Sequence, residues 1–244
     1  DILFFWVARM IMAGVSLGIF EALRGHPRTA LDLATHLQLD RDALDLLLRG
    51  LAHVKYLQQK QSAYELSPLA RRSMLDDSPR SLTGYARWNE IQWRFLEQLE
   101  DLVRTGKGVD FHWSLSDQED WNHYQHAMLE AARFDAGTLV NLVPVPKGAT
   151  RLLDLGGSHG LLGATICRRY PPMRSTVVDL PQAIEHGRAL ARKTGHLDVV
   201  DFRAGDLLSD PLEESDTVLL SNVLHHFTPG QAKSLLSRVH RVLR

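Results

Sequence analysis

Apolar residues along this chain follow two periods. Up to about residue 148 they recur every three or four positions, as on helices, and from Arg151 they gather in short β-branched or apolar runs. The segment ILFFWVARMIMAGVSLGIFEAL, residues 2–23, is apolar enough to raise a membrane span or a signal peptide. Arg9 lies inside it, no basic stretch precedes it and no small-residue cleavage site follows, so the expectation is a helix buried in the core or at a subunit interface. Thr29 is placed to cap a short helix through Leu37, and Asp40 to cap a second one to about Val54. YLQQKQSAYELS then reads as two strands around a polar turn. Helix, helix, hairpin is the order of a winged helix.

Residues 80–145 read as helical. They carry Tyr85, Trp88, Trp93, Phe95, Phe111, Trp113, Trp121, Tyr124 and Phe134, most of them expected in the core, with some available to line an apolar pocket. Pro144, Pro146, Lys147 and Gly148 form the clearest linker. Four strand-like runs follow, RLLDL, STVVDL, VVDFRA and DTVLLSNVL, with helical stretches after the first and second. That alternation predicts a parallel sheet in a doubly wound α/β domain. Thr228 and Pro229 open a last helix with Ala232, Leu235, Leu236, Val239, Val242 and Leu243 on one face.

Charge narrows the partners. Lys plus Arg number 28 against 29 Asp plus Glu, and residues 1–100 hold twelve of each. A balanced module neutralises phosphates poorly, so nucleic acid and anionic membranes are not expected partners, and the would-be recognition helix carries the mixed set Arg41, Asp42, Asp45, Arg49 and His53. The apolar arc of that helix, which includes Leu44, Leu46, Leu48 and Leu51, favours burial against another domain or subunit. The lone Cys167 excludes an internal disulfide and fits a reducing, cytoplasmic compartment. His123 and His126 stand at i, i+3 with no third ligand in view, so no metal site is expected.

The chemistry gathers at LLDLGGSHG. A strand ending in Asp154 runs into Gly156, Gly157 and Gly160, where a loop must turn sharply and approach a ligand with no Cβ in the way. The dinucleotide fingerprint does not fit, because Ser158 occupies the place of its middle glycine. Asp179 ends the second strand nineteen residues past Gly160, where a carboxylate accepts hydrogen bonds from ribose hydroxyls, and Asp206 ends the third, where it can take an adenine amino group. Each acid alone reads equally well as a loop cap.

LLDLGGSHG, VVDLPQAI, AGDLLSDPL and VLLSNVLHHF resemble, in order and spacing, the motifs of S-adenosylmethionine-dependent class I O-methyltransferases with an N-terminal winged-helix dimerisation domain. GIFEAL, TALDLATHLQLDRDALDLLLRGL and YELSPLARR resemble that N-terminal domain. The resemblance implies an α/β fold: a mostly helical dimerisation domain over residues 1–100, a helical connector lining the substrate pocket over 101–148, and a Rossmann-like cofactor domain over 149–244. It implies S-adenosyl-L-methionine as cofactor, held by Asp154, Gly156, Gly157, Gly160, Asp179, Leu180, Asp206, Leu207 and Ser221. His225 matches the family's catalytic base, and Met128 in YQHAMLEA and His226 are the substrate-side residues. His226 stands where the family has an acid, and Ser158 and His159 replace smaller loop residues.

In such a site the protein aligns a hydroxyl with the methyl donor and removes its proton, work that suits an imidazole. The expected partners are a small hydroxyl-bearing, aromatic acceptor and a second copy of the chain. A winged-helix DNA-binding regulator and a non-catalytic cofactor-binding scaffold remain the alternatives, as does methylation of nitrogen or carbon. The chain starts on Asp1 and stops within a helical pattern at Arg244, as a piece of a longer protein would. The family's last strands and the acids that orient its base are expected beyond Arg244, so weak cofactor binding and poor methylation are expected of these residues alone.

Overall fold

The computed structural model describes residues 4–107, 115 and 118–244, so Phe111 and Trp113 lie outside the described residues. The chain divides into two compact units, Asp1–Glu130 and Ala131–Arg244.

In the first unit the apolar N-terminal run is two helices rather than one. α1 (Phe4–Ser16) ends before α2 (Ile19–Ala22) because Gly18 between them takes a left-handed φ of 73°, which no β-carbon opposes. The start of α1 is open to solvent, with Phe4 69% and Trp6 60% exposed, while Met12 and Val15 further along are buried, so within this unit the core takes only the second half of the helix. Among the described residues no helix is long and apolar enough to cross a membrane.

β1 (Arg28–Thr29) leads into α3 (Ala30–Leu37), where the Thr29 hydroxyl accepts from the Asp32 amide and the Asp32 carboxylate accepts from the Thr29 amide. α4 (Arg41–His53) starts at Asp40, whose carboxylate accepts from the Ala43 amide at 2.8 Å. β2 (Leu57–Lys60) and β3 (Ala63–Leu66) make the expected hairpin, pairing Leu57 with Leu66 and Lys60 with Ala63, and β1 joins to give the order β1-β3-β2. Ile19, Phe20, Leu33, Leu48, Leu51, Leu57 and Tyr64 fill the core beneath. The apolar arc of α4 is therefore largely used inside its own unit, and Leu46 alone of its leucines stays open, at 64%.

Four helices follow: α5 (Pro68–Ser73), α6 (Thr83–Leu96), α7 (Leu99–Thr105) and α8 (Gln118–Leu142). Fewer aromatics of this stretch are core residues than the sequence led us to expect. Trp88 and Trp121 are buried and meet Tyr124 edge-on, but Tyr85 and Phe134 are 40% and 55% exposed, because long helices with few covering elements present more than one face to solvent. α6 has no side-chain cap of its own. Buried Glu130 of α8 supplies it, its two oxygens accepting from the amides of Gly84 at 3.1 Å and Tyr85 at 2.8 Å.

In the second unit β4 (Arg151–Leu155), α9 (Leu161–Arg169), β5 (Arg174–Asp179), α10 (Pro181–Thr194), β6 (Val200–Ala204) and β7 (Thr217–Leu219) alternate as predicted, and α11 (Pro229–Val242) closes the chain. The sheet is parallel throughout, in the order β6-β5-β4-β7. Successive strands step outward from β4 to β6, and the chain then returns to the other side of β4. The order thus reverses between β4 and β7, where an open α/β sheet leaves a crevice at its carboxyl edge.

The fourth strand is shorter than DTVLLSNVL. It stops at Leu219, and Asn222 adopts a φ of 51°, a left-handed conformation that asparagine tolerates and a strand cannot continue through. α11 buries Leu235 and Val239, while Leu236 and Leu243 of the expected apolar face are 45% and 43% exposed. Cys167 is buried, which pushes its thiol up to about 12 and makes it unreactive near neutral pH.

Candidate functional site at the carboxyl edge of the parallel sheet

The loop after β4 is built from contacts that exclude side chains. The Gly156 amide donates to the Val178 carbonyl at 2.8 Å, which ties the loop's first residue to β5. A β-carbon on Gly157 would lie 2.4–2.7 Å from the Asp154 carboxyl group, closer than any real contact allows. Gly160, at φ 74°, turns the chain into α9. Its amide donates to the Gly157 carbonyl at 2.8 Å. Ser158, at φ 54°, donates its amide to Asp179 Oδ2 at 2.9 Å.

Two acids of the predicted set lie at different depths. Asp154 is 1% exposed beneath the loop, and burial, then the neighbouring charge of Asp179, pushes its carboxyl up to about 7 despite a hydrogen bond from the Gly163 amide. Its Oδ2 has no hydrogen-bond partner, and neither has the buried Ser175 Oγ, both within 3.0 Å of the place a β-carbon on Gly163 would occupy. Asp179 ends β5 and accepts from Ser158 and, through Oδ1, from the Leu180 amide at 2.8 Å. Burial raises its pKa and these two amides oppose the rise. Each oxygen keeps a lone pair for a further donor.

Asp206 follows β6 and is exposed. Its carboxylate caps its own loop, accepting from the Leu208 amide and the Ser209 hydroxyl, each at 2.9 Å. The same loop is fastened to β5 by the Gly205 amide, which donates to the Asp179 carbonyl at 2.9 Å. Leu207 is 7% exposed and packs in the core, and Leu180 occupies the position before α10 without a side-chain cap.

Beyond β7 the chain passes Ser221, which is half-buried, and makes a 3-10 turn over Leu224–His226. Val223 before that turn fixes it to the glycine loop, since a β-carbon on Gly156 would lie 2.6 Å from a Val223 methyl. His225 and His226 are both exposed, with ring centroids 4.0 Å apart. Glycine loop, Asp179, Asp206 and the histidine turn therefore line one edge of one sheet. Met128 lies in the other unit, half-buried on α8.

The family model described as an O-methyltransferase domain matches residues 88–244, and the one described as an O-methyltransferase dimerisation domain matches residues 1–76. The chain belongs to the O-methyltransferase family. Among relatives of this O-methyltransferase, a mitomycin biosynthesis 6-O-methyltransferase of Streptomyces lavendulae is 29% identical, across 98% of this chain and 71% of the relative. The N,N-dimethyltransferase OxyT of Streptomyces rimosus is 25% identical, across 97% and 71%. In fold, the chain is similar to human N-acetylserotonin methyltransferase in complex with SAM, with a TM-score of 0.86 at 22% identity over 98% of this chain and 74% of that one. Family membership implies S-adenosylmethionine as the methyl donor.

On α4, Arg49 pairs with Asp45 at 3.1 Å and Arg41 with Asp42 at 2.8 Å, both on the helix surface. His126 Nδ1 lies 2.9 Å from the Asn122 carbonyl and His123 Nε2 3.5 Å from Glu119, both within their own helix, and among the described residues no cluster of three metal-ligating side chains occurs. Ser175, buried beside Asp154 at the start of the run STVVDL, is not marked by the sequence as a neighbour of the glycine loop.

Proposed function

We propose that this O-methyltransferase methylates a hydroxyl of a small, planar, apolar molecule, with His225 as the general base. The observation that carries the proposal is the contact between Val223 and Gly156, which couples the histidine turn to the glycine loop at the point where strand order reverses. Packing beneath the loop demands its glycines, since a side chain at Gly157 would collide with Asp154, and the tight loop so formed follows the strand end where strand order reverses, the place at which such a sheet takes a nucleotide. We assign Gly156, Gly157 and Gly160 to the methionyl end, Asp179 with Leu180 to the ribose, and Asp206, Leu207 and Ser221 to the adenine side. Asp154 supports the loop from below.

When bound, S-adenosylmethionine supplies a methyl group on a sulfonium, a good leaving group. His225 is exposed and can accept the acceptor's proton as its oxygen attacks, and His226, in ring contact beside it, is assigned to the substrate side. The aromatic-rich middle segment supports a planar acceptor, and the resemblance alone assigns Met128 to it. Nitrogen as the attacked atom is a second reading, favoured by the similarity to an N,N-dimethyltransferase. We further propose a homodimer through residues 1–100, consistent with the dimerisation-domain match and with the exposed Phe4, Trp6 and Leu46; sedimentation as a monomer alone would contradict it.

Steady-state kinetics of His225→Ala test the base. The expected result is a kcat lower by about 10²–10⁴-fold with unchanged affinity for S-adenosylhomocysteine. An unchanged kcat would remove His225 from the reaction.

A further inference from the structure

His196 follows α10 and is completely buried, yet no feature of its sequence setting marks it. Its Nε2 lies 2.7 Å from the backbone carbonyl of His159, inside the glycine loop. A carbonyl only accepts, so that nitrogen carries the proton. On the other side of the ring, Nδ1 lies 2.9 Å from Thr194 Oγ1, whose hydroxyl is also within 2.8 Å of the Leu190 carbonyl. Thr194 donates its one hydroxyl proton to the Leu190 carbonyl, so Nδ1 lies beside the Thr194 oxygen without taking that proton.

His159 is held at its other end as well. It is 3% exposed, and its ring Nδ1 accepts from the Leu161 amide, the first of α9, at 3.1 Å. Its bulk therefore turns into the protein. Next to it, Ser158 runs so close to α10 that a β-carbon on Gly187 would lie 2.3 Å from the Ser158 carbonyl oxygen. The two residues that depart from the family's smaller loop are thus accommodated against α10 and the segment behind it.

We propose that His196 is a positioning residue, which holds the glycine loop through the His159 carbonyl and thereby sets affinity for the cofactor. The proposal rests on the reading of that loop as the S-adenosylmethionine cradle. Without the Nε2–H donor, the buried His159 carbonyl loses this hydrogen bond, and residues 158–161 lose one fastening to the segment after α10.

The test compares His196→Gln, whose amide nitrogen reaches about as far as Nε2, with His196→Asn, which falls short, after circular dichroism has shown both to be folded. Amide hydrogen exchange over residues 158–161 and calorimetric affinity for S-adenosylhomocysteine are measured on each, with kcat at saturating cofactor. The expected result is faster loop exchange and an affinity about tenfold weaker in His196→Asn, with kcat within about twofold and both losses largely restored in His196→Gln. Native exchange and native affinity in a folded His196→Asn would overturn the proposal, and so would equal losses in both variants, which would reduce His196 to packing. If the parent protein itself fails to bind S-adenosylhomocysteine, the cradle reading falls and the role of His196 falls with it.

Discussion

Two buried carboxylates, one in each unit, behave differently. Glu130 is 5% exposed, and both its oxygens accept amides at the start of α6. Asp154 is 1% exposed, one of its oxygens has no partner, and its carboxyl is pushed up to about 7. Burying an acid is costly unless its lone pairs are used. Glu130 meets that condition and is architecture. Asp154 does not, and it lies directly beneath a loop whose glycines admit no side chains. An acid left short of partners marks the place where the protein keeps its polar groups for something other than its own stability.

The largest expected effect comes from filling the space above Asp154. Gly157→Ala places a methyl in contact with the carboxyl group and should destabilise the second unit by about 3 kcal/mol and abolish binding of S-adenosylhomocysteine, as denaturation and calorimetry would record. Removing the other acid has a separate outcome. Glu130→Ala leaves two amides of α6 without their acceptor and should cost about 2 kcal/mol in a urea titration, while the folded protein keeps its cofactor affinity. A loss of affinity there would erase the distinction between the two acids.

Of opposite sign is Asp154→Asn. The folded-state pKa of Asp154 lies above the unfolded value of 3.8, so its contribution to stability is fully present below 3.8 and is lost as pH rises to about 7. The variant lacks this dependence. Its stability relative to the parent should therefore climb between pH 4 and 7 and level off above, and a flat difference across that range would show that Asp154 titrates normally. Ser175→Ala removes a buried hydroxyl that has no partner, and a gain of about 1 kcal/mol or less is expected from thermal denaturation.

What could be read in the sequence was local. Thr29 and Asp40 cap their helices as their positions dictate, the hairpin forms around its polar turn, and β4, β5 and β6 fall on their apolar or β-branched runs. The glycine loop was legible for the same reason, because a backbone that must turn within five residues leaves its mark within five residues. Breaks were harder. Gly18 divides the apolar run and Asn222 cuts β7 short, and either residue would also be tolerated where the chain simply continues.

Partners far apart in sequence were not legible at all. Glu130 caps a helix that begins nearly fifty residues earlier, and His196 holds a carbonyl 37 residues away. The depth of Asp154 also depends on packing, so its placement at a strand end gave no hint that it would be covered while Asp206 stayed exposed.

The most direct test of the central claim is calorimetric titration of S-adenosylhomocysteine into the protein and into its Asp179→Ala variant, with NAD as a control ligand. Asp179 sits at the end of β5 with a lone pair left on each oxygen, so the predicted result is binding of S-adenosylhomocysteine by the parent, no binding of NAD, and loss of affinity in the variant. Equal affinity of a folded variant and the parent, or a parent that prefers NAD, would contradict the assignment of this edge of the sheet to S-adenosylmethionine.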